Sequence, residues 1–464
     1  MAAITATHPE HLIVPTGFLM KQLVSLVIAA AVLPFPNVLA QEPTPLNARV
    51  TARVGAEYPA LFELYKELHA RPELSFYEEK TAARLAAELR QTGFEVTTKI
   101  GGHGVVAVLK NGPGPTVLLR TDLDGLPVKE MTGLPYASQH RVTDAEGNEV
   151  HTMHACGHDI HITSLVGAAR VLHALKDRWQ GTLVLIGQPA EERGGGAKAM
   201  LADGLFTLFP KPDFCIALHV GADQPAGTIG YIEGFALANV DAVDVTIRGV
   251  GGHGAFPQMT RDPIVLAAQT ILALQTIVSR EVAPGEPAVV TVGSIHGGTK
   301  HNIIPEEVRL QLTLRSFSDD VREKNIAAVR RITRGLALAA GLPEDRMPIV
   351  KIGDEFTPAT YNHPEFTRRL AGVFQTWFGA GNVIPRKPVM GGEDFSRYGR
   401  TEDKIPISIF WLGAVNPEVV RDSLKAGKSL PSLHSSLFAP APEPTIKTGI
   451  TTLTAAVLEL LGKK

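Results

Sequence analysis

The sequence predicts an α/β protein in which a mixed sheet is covered by helices and a smaller α+β unit is inserted. Three observations support this prediction. Short apolar runs alternate with helical segments as far as residue 239, the pattern changes over residues 240–353, and the first pattern resumes over residues 354–464. Runs that are apolar throughout are typical of strands that are buried on both faces.

The larger unit is expected to comprise residues 41–239 and 354–464. In its first part, apolar spacing predicts helices and strands that alternate along the chain. The helices lie at 57–69, 77–93 and about 161–175, and the strands at 104–109, 116–120, 182–187, 214–218 and 228–232. In its second part, the same patterns recur at 364–378, 407–412 and 444–461.

The inserted unit, residues 240–353, shows a different order of elements. Strands are predicted at 243–247, 288–295, 307–317 and 347–352, and helices at 263–280 and 319–340. The resulting order is β-α-β-β-α-β, which is the ferredoxin-like order. We therefore expect a ferredoxin-like domain inserted into the larger one.

Composition and charge exclude several classes of protein. The 464 residues include 45 basic and 47 acidic side chains, and the formal net charge of −2 offers no electrostatic footprint for nucleic acid or an anionic membrane surface. Hydrophobic residues make up 44% of the chain, which is ordinary globular usage and excludes general disorder. We expect a soluble enzyme or small-ligand binder with no nucleic-acid or membrane partner.

The N-terminal region has the features of a secretory signal peptide. Met20-Lys21 precede an apolar run at 23–33, and small residues lead up to Ala40. The alternative is a buried core helix, but Pro34 ends the run abruptly and a polar stretch follows. We expect residues 1–40 to be a signal peptide, with residues 1–19 as a possible extension. The mature protein would begin near Gln41 and be exported, either periplasmic or secreted.

Potential metal ligands are concentrated in residues 151–161. This segment contains His151, His154, Cys156, His158 and His161, together with a carboxylate. Thiolate and imidazole are preferred ligands of borderline divalent metals. A Cys156–His158 nucleophile is the competing hypothesis, and a solvated His-rich loop is a third. Metal binding is favoured because other ligand candidates have similar settings.

Three further segments place acids or histidines at the ends of predicted elements. Glu191-Glu192 follow one strand, His219 ends another, and His434 precedes the last helix. Each feature alone also fits an ordinary structural role, such as a solvated helix start or a surface turn. Together they place acids and histidines at loop ends of one sheet, where α/β folds bind ligands.

The motifs occur in an order that resembles a known family. They are His69-Ala70-Arg71-Pro72-Glu73-Leu74-Ser75, Arg120-Thr121-Asp122-Leu123-Asp124-Gly125, His154-Ala155-Cys156-Gly157-His158-Asp159, Gln188-Pro189-Ala190-Glu191-Glu192, Gly252-His253-Gly254-Ala255, Asn302-Ile303-Ile304-Pro305, Gly392-Glu393-Asp394-Phe395 and Leu433-His434-Ser435. With these motifs the chain resembles the metallopeptidase/aminoacylase family that contains hippurate hydrolase and the plant indole-acetyl-amino-acid hydrolases.

The resemblance implies a zinc-peptidase-like catalytic domain that holds two divalent metal ions, with Mn, Zn, Co and Ni all compatible. It also implies that the inserted unit is a lid that often dimerises, so a homodimer is expected. The implied metal ligands are Cys156, His158, Glu192, His219 and His434. Glu191 would be the general base, and the implied substrate-binding residues are His253, Asn302 and Arg315.

The expected activity is hydrolysis of the amide bond of N-acyl amino acids or related conjugates. A carboxypeptidase or dipeptidase using the same site is the nearest alternative. A periplasmic metal- or peptide-binding protein without turnover belongs to a different class, but it would not need Glu191 as a spare carboxylate. A cysteine hydrolase, in contrast, would remain active after chelation.

Three positions depart from the usual pattern of the family. Gln258 stands where the family usually has histidine, Arg193 stands where glycine is commoner, and Leu312 replaces a frequent glycine. Arg193 places a positive charge beside the predicted metal site. These departures bear on the preference for substrate side chains rather than on the hydrolytic mechanism.

Overall fold

The computed structural model describes residues 45–353 and 356–463. All of these residues belong to one compact unit. The predicted signal peptide, residues 1–40, and the predicted mature start near Gln41 lie outside the described residues.

The described residues form nine α-helices, which we number in chain order. They are α1 (Pro45–His69), α2 (Glu79–Gln91), α3 (His158–Ala174), α4 (Gly196–Ala202), α5 (Pro263–Thr276), α6 (Asp319–Ala339), α7 (Pro364–Phe378), α8 (Pro417–Ala426) and α9 (Pro442–Leu461).

The strands of the described chain are also numbered in order. They are β1 (Glu95–Ile100), β2 (Gly104–Asn111), β3 (Thr116–Asp122), β4 (Arg141–Thr143), β5 (Glu149–His151), β6 (Gly181–Gln188), β7 (Phe214–Pro225), β8 (Ile229–Tyr231), β9 (Gly234–Leu237), β10 (Asn239–Arg248), β11 (Gly252–His253), β12 (Ala288–His296), β13 (Ile303–Ile304), β14 (Glu307–Ser316), β15 (Ile349–Ile352), β16 (Thr360–Asn362), β17 (Val383–Pro385) and β18 (Ile407–Val415).

The main sheet has eight strands in the order β1-β2-β6-β3-β7-β18-β8-β17. It is mixed, because β6, β3, β7 and β18 pair in parallel whereas β2 pairs antiparallel with both of its neighbours. In β3, Val117 and Leu119 pack into one hydrophobic cluster and Leu118 packs into another on the opposite face. Burial on both faces explains why this strand is apolar, and the predicted α/β class is confirmed.

The two clusters differ in the helices that cover them. The larger cluster is built against α1, α3, α7 and α9, and the smaller one includes Ala197 and Met200 of α4. The loops that leave the carboxyl ends of β6 and β7 therefore emerge between covered faces, which places them at the edge where ligands bind in α/β sheets.

A second sheet has the strand order β12-β14-β10-β15 and is antiparallel throughout. With α5 after β10 and α6 after β14, its elements follow the ferredoxin-like order along the chain. Alternate residues of β10, which are Val243, Val245 and Ile247, are buried against these helices. We refer to this sheet with α5 and α6 as the small unit.

Side-chain caps define where the two helices of the small unit begin. The Asp262 carboxylate accepts a hydrogen bond from the Ile264 amide, and the Ser318 hydroxyl accepts one from the Val321 amide. At its other end α5 continues as a π-helical turn, Ile277–Glu281. The predicted helix over 263–280 therefore contains a change of helix type that its apolar pattern did not reveal.

The prediction missed several short elements at the margins of the sheets. Strand β1 alternates exposed and half-buried residues, so its sequence contains no apolar run. Strands β9, β16 and β17 have three or four residues each. Such strands depend on pairing with distant neighbours, which local sequence patterns do not report.

Candidate metal centre and active site

Parallel pairing brings the predicted metal ligands to one edge of the main sheet. Strands β6 and β7 flank β3 and run in the same direction, so Glu191-Glu192 after β6 and His219 in β7 lie at the same edge. His158 is the first residue of α3, and His434 lies before α9. Four distant segments of the chain therefore converge on one position.

The potential ligand atoms of the described residues form five overlapping groups, and within each group all atoms lie within 4.8 Å of one another. Two of these groups extend away from the predicted ligands, one with Asp122 and His161 beside His158 and the other with Glu393 and Asp394 beside Glu191. The other three contain the predicted ligands. They are Cys156 with His158 and His219, Cys156 with Glu192 and His434, and His158 with Glu191 and Glu192. The five predicted ligands thus come together, and Glu191 lies beside them. One thiolate, three imidazoles and a carboxylate suit borderline divalent cations.

Individual distances show how compact the cluster is. Cys156 Sγ lies 3.4 Å from His219 Nε2, and His434 Nε2 lies 3.4 Å from Glu192 Oε1. His158 Nε2 lies 3.9 Å from the same glutamate oxygen. His158 Nε2 and Glu192 Oε1 are buried and have no hydrogen-bond partner among the described residues. Buried polar atoms are normally paired, so these two atoms fit metal coordination.

In both His158 and His219, the ring nitrogen Nδ1 contacts a backbone carbonyl. His158 Nδ1 lies 2.7 Å from the Asp124 carbonyl oxygen, and His219 Nδ1 lies 2.9 Å from that of Val220. A carbonyl can only accept, so each Nδ1 carries a proton, and in the neutral imidazole each Nε2 then presents a lone pair to the cluster. Such partners orient metal-binding histidines. Asp124 also contacts His158 through its carboxylate at 3.3 Å.

His161 belongs to the histidine-rich segment but is engaged elsewhere. Its Nδ1 lies 2.7 Å from Asp122 Oδ1, and its Nε2 accepts a hydrogen bond from the Val220 amide at 3.0 Å. With both nitrogens used, His161 supports the cluster rather than joining it. Asp159 likewise turns away from the cluster, because its Oδ2 lies 2.7 Å from His69 Nδ1.

The surroundings of Cys156 disfavour a cysteine nucleophile. Burial, together with the nearby Glu192 and Glu191 carboxylates, raises the pKa of the Cys156 thiol well above its usual value. Burial also lowers the pKa of His219 to about 3, with His161 adding to the effect. A catalytic thiolate–imidazolium pair needs the opposite shifts. A bound cation would instead stabilise the Cys156 thiolate as a ligand.

Glu191 is a buried carboxyl group surrounded by other acids. Burial is the largest cause that raises the pKa of Glu191 well above its usual value, and Glu393, Glu192 and Asp394 add to the effect. The adjacent glutamates have different neighbours, because Glu192 also groups with Cys156 and His434. Glu191 groups instead with Glu393 and Asp394. A carboxyl whose pKa is raised toward neutrality suits proton transfer.

A buried charge network supports this edge of the sheet. The Arg120 guanidinium is fully buried and pairs with Asp122 at 2.7 Å and with Glu393 at 2.8 Å. Asp394 accepts hydrogen bonds from the Gln188 amide group and from the Ala197 backbone. Arg120, Gln188, Glu393 and Asp394 all belong to sequence motifs given above, but no role was predicted for them. The sequence feature that could have indicated this network is Arg120, a charged residue within the apolar strand β3.

A cavity of about 330 Å³ opens beside the cluster. Glu191, Glu192 and His434 line it together with Arg193 and Arg315. Arg315 comes from β14 of the small unit, where its guanidinium donates to Thr313 Oγ1 at 3.1 Å and to the Met390 carbonyl at 3.4 Å. The predicted substrate-binding residue Arg315 therefore reaches the site.

The structure places the other two predicted substrate-binding residues away from this cavity. His253 and Asn302 are exposed neighbours on the two-stranded ribbon formed by β11 and β13, where the Gly254 amide donates to the Asn302 carbonyl at 2.9 Å. Neither residue lines the cavity. Their contact with substrate stays a prediction.

Comparison with known proteins identifies the family. Residues 118–425 match peptidase family M20/M25/M40. The chain is 37% identical over 336 residues to hippurate hydrolase of Campylobacter jejuni, covering 71% of this chain and 82% of the relative. It is 35% identical over 393 residues to thermostable carboxypeptidase 2 of Saccharolobus solfataricus, covering 84% of this chain and 92% of the relative.

A solved structure supports the same assignment. The YXEP protein of Bacillus subtilis, described as a dinuclear metal-binding peptidase from the M20 family, superposes with a TM-score of 0.69 at 28% identity, covering 88% of this chain and 100% of that one. The chain belongs to peptidase family M20/M25/M40. It is a metal-dependent hydrolase of linear amide bonds, and the predicted resemblance is confirmed.

A buried histidine behind the cluster gives a pH-dependent contribution to stability. His69 lies between Asp159 and Glu130, at 2.7 and 3.1 Å. Burial lowers the pKa of His69, but the hydrogen bonds to Asp159 and Glu130 outweigh it and raise the pKa to about 9. Because the pKa is raised in the folded state, the stabilisation is complete below about pH 6.5 and is lost as pH rises through about 9.

We therefore predict that His69→Gln removes a pH-dependent part of the free energy of unfolding, worth about 3 kcal/mol across that interval. Urea unfolding of both proteins between pH 6 and 10 measures it, since all other groups are shared. The exposed imidazole of His301 provides the control, His301→Gln. A constant difference between wild type and His69→Gln would show that His69 is not held as a cation.

Proposed function

We propose that this protein hydrolyses the amide bond of N-acyl amino acids, using two divalent cations held by Cys156, His158, Glu192, His219 and His434. The observation that supports this proposal most directly is the adjacent glutamate pair. Both glutamates lie near His158, and Glu192 also lies near Cys156 and His434. Glu191 is instead buried beside Glu393 and Asp394. A protein that only bound metal or peptide would have no use for this second carboxyl.

The two glutamates divide the chemical work. A divalent cation held by Glu192 and the other proposed ligands would lower the pKa of water toward about 7 and would make hydroxide available at neutral pH. Glu191 takes the proton from the attacking water and delivers it to the nitrogen of the leaving amine. The Arg120 network holds Glu393 and Asp394 in place beside Glu191.

Arg315 is suited to hold the α-carboxylate of the substrate. Its two hydrogen-bond acceptors, Thr313 and Met390, are both neutral. Burial lowers the pKa of Arg315, an effect that Asp241 only partly opposes. A half-buried guanidinium with neutral partners gains most from a bidentate carboxylate.

A carboxypeptidase activity at the same site is the second candidate. The similarity to a thermostable carboxypeptidase supports it, and a C-terminal α-carboxylate would bind to Arg315 in the same way. The two candidates differ only in the acyl group, which is a simple acid in one and a peptide in the other.

The metal-dependent reaction gives a direct test of Glu191. We predict that Glu191→Gln lowers kcat at least about 100-fold while the protein retains its bound metal, because a general base is lost but no ligand is. Amine release is measured with N-acetyl amino acids, N-benzoylglycine and dipeptides, as purified, after chelation and after adding Mn, Zn, Co or Ni separately. Metal content is measured in parallel.

The control variant is Glu149→Gln, which removes a carboxylate that is 63% exposed. Near-normal turnover by Glu191→Gln would reject Glu191 as the base. Wild-type turnover that survives chelation would reject the metal mechanism. Activity on dipeptides alone would favour the carboxypeptidase or dipeptidase.

We also propose that the small unit forms a homodimer. Its strand β12 is an edge strand, and apolar side chains of α5 are exposed, including Val265 at 54% and Leu272 at 72%. Within the described chain, residues 263–281 alone have the length and apolar composition of a membrane span, and 33% of that stretch is buried. A second copy would cover this apolar face and the free edge.

Leu272→Glu should convert the dimer to a monomer, because it places a charge in the proposed interface. Light scattering coupled to size-exclusion chromatography measures the change in mass. Leu208→Glu is a matched control, since Leu208 is 73% exposed but lies outside the small unit. An unchanged mass for Leu272→Glu would place any interface elsewhere, and a monomeric wild type would reject the dimer.

Two further expectations remain proposals. We propose export of the mature chain from about Gln41, supported by the apolar run at 23–33 and the small residues before the cut. We also propose that His253 and Asn302 contact substrate. Since both are exposed on the ribbon of β11 and β13, this contact requires movement of the ribbon or a second copy of the chain.

A further inference from the structure

Arg193 occupies a border between two cavities. The first is the 330 Å³ cavity beside the metal-ligand cluster, which Arg315 also lines. The second has a volume of about 270 Å³ and is lined by Leu74, Leu126 and Pro127, among others. Among the described residues, Glu192 and Arg193 alone line both cavities. A substrate whose amide lies at Glu192 therefore has Arg193 as a neighbour.

The Arg193 guanidinium is available to bind a ligand. It is exposed and makes no hydrogen bond or ion pair within residues 45–353 and 356–463. Three glutamates line the first cavity: Glu393 pairs with Arg120, Glu192 lies among the potential metal ligands, and Glu191 is buried. Arg193 and Arg315 line the same cavity, and neither forms an ion pair with a carboxylate of the described residues.

The backbone that carries Arg193 is fixed on both sides. The Glu192 amide donates to Asp124 Oδ2 at 3.0 Å, and the Gly194 amide donates to the Glu191 carbonyl at 2.7 Å. Gly194 has φ +64°, a backbone conformation that residues with a side chain rarely adopt. The guanidinium therefore starts from a rigid turn, which reduces the entropic cost of ordering it on a ligand.

The charges of the second cavity direct an anion toward the first. Asp144 and Glu146, from the loop between β4 and β5, line the second cavity and would repel a carboxylate there. The first cavity also contains carboxyl groups, those of Glu191, Glu192 and Glu393, but it adds a second guanidinium, that of Arg315, to that of Arg193. We therefore expect an anionic group to bind in the cavity that Arg193 shares with Arg315.

We infer that Arg193 recognises a second anionic group on the substrate, in addition to the α-carboxylate held by Arg315. This inference rests on the proposed function and specifies the substrate class as N-acyl amino acids with two carboxylates. The second carboxylate belongs either to the amino-acid side chain or to the acyl group. Arg193 is a specificity-determining residue, and the hydrolytic chemistry remains with Glu191 and the metal ligands.

Binding measured without turnover tests this inference. Calorimetry is performed on metal-loaded Glu191→Gln protein with two matched ligand pairs. One pair is N-acetyl-L-glutamate and N-acetyl-L-glutamine, and the other is N-succinyl-L-alanine and N-succinamoyl-L-alanine. Each pair differs by one negative charge at nearly constant shape, and the two pairs separate a side-chain source of the charge from an acyl source.

We expect the charged member of one pair to bind about 5-fold more tightly than its neutral partner, as for a partly exposed ion pair. The preference should fall to about 1 when Arg193→Gln is added and should weaken as ionic strength rises. Arg90→Gln, which removes an exposed guanidinium of α2 outside both cavities, is the control and should retain the preference.

Two results would overturn the inference. One is no charge preference in either pair, which includes a failure of all four ligands to bind. The other is a preference that persists in the Arg193→Gln protein. Wild-type turnover of neutral N-acyl amino acids tests the proposed function separately. Turnover without a charge preference would reject only the role of Arg193, whereas a preference without turnover would reject only the proposed reaction.

Discussion

The parallel pairing of β6 and β7 with β3 is the constraint on which the site depends. Arg120 of β3 pairs with Ile186 of β6 and with Ala217 of β7. This register brings the glutamate pair after β6 level with His219 within β7, although Glu192 and His219 are 27 positions apart in the chain. The first turn of α3 and the segment before α9 then add the remaining ligands. Packing of α3 and α9 on one face of the sheet fixes these two segments relative to the strands.

Charged groups that are concentrated at a buried edge of the sheet need ion-pair or hydrogen-bond partners within the protein. Three carboxylates, those of Asp122, Glu393 and Asp394, are paired with the single buried guanidinium of Arg120. On the other side of the cluster, His69 lies between Asp159 and Glu130. Removing one member of such a network leaves the others unpaired, which costs more than the pair contributes. His158 Nε2 and Glu192 Oε1 at the centre have no hydrogen-bond partner among the described residues, and the proposed cations would compensate them.

Much of this arrangement could be predicted from the sequence because its signals are local. Strand β3 is apolar since both of its faces are covered, and the β-α-β-β-α-β order follows from elements with clear periodicity. The proposed ligands could be predicted because thiol, imidazole and carboxylate groups occur in recognisable motifs, one of which, the glutamate pair, follows β6. The alternatives of a solvated loop or a surface turn lose their support once four segments meet.

The rest depends on contacts between distant residues. Glu393 and Asp394 belong to a sequence motif, but their role depends on ion pairs with Arg120, which lies more than 270 positions earlier in the chain. The edge strand β1 is defined by its pairing with β2 rather than by its own apolar pattern. His253 shows the opposite case, because its motif implies contact with substrate whereas one copy of the chain holds it exposed and outside the cavity.

The proposed ligands of two divalent cations are Cys156, His158, Glu192, His219 and His434. Anomalous diffraction from crystals of Mn-loaded protein tests this proposal most directly. We predict two anomalous peaks within the cluster, with histidine nitrogens and glutamate oxygens about 2.0–2.3 Å from the ions. Peaks at the neighbouring carboxylates of Glu191, Glu393 and Asp394, or a single peak in the cluster, would contradict the account.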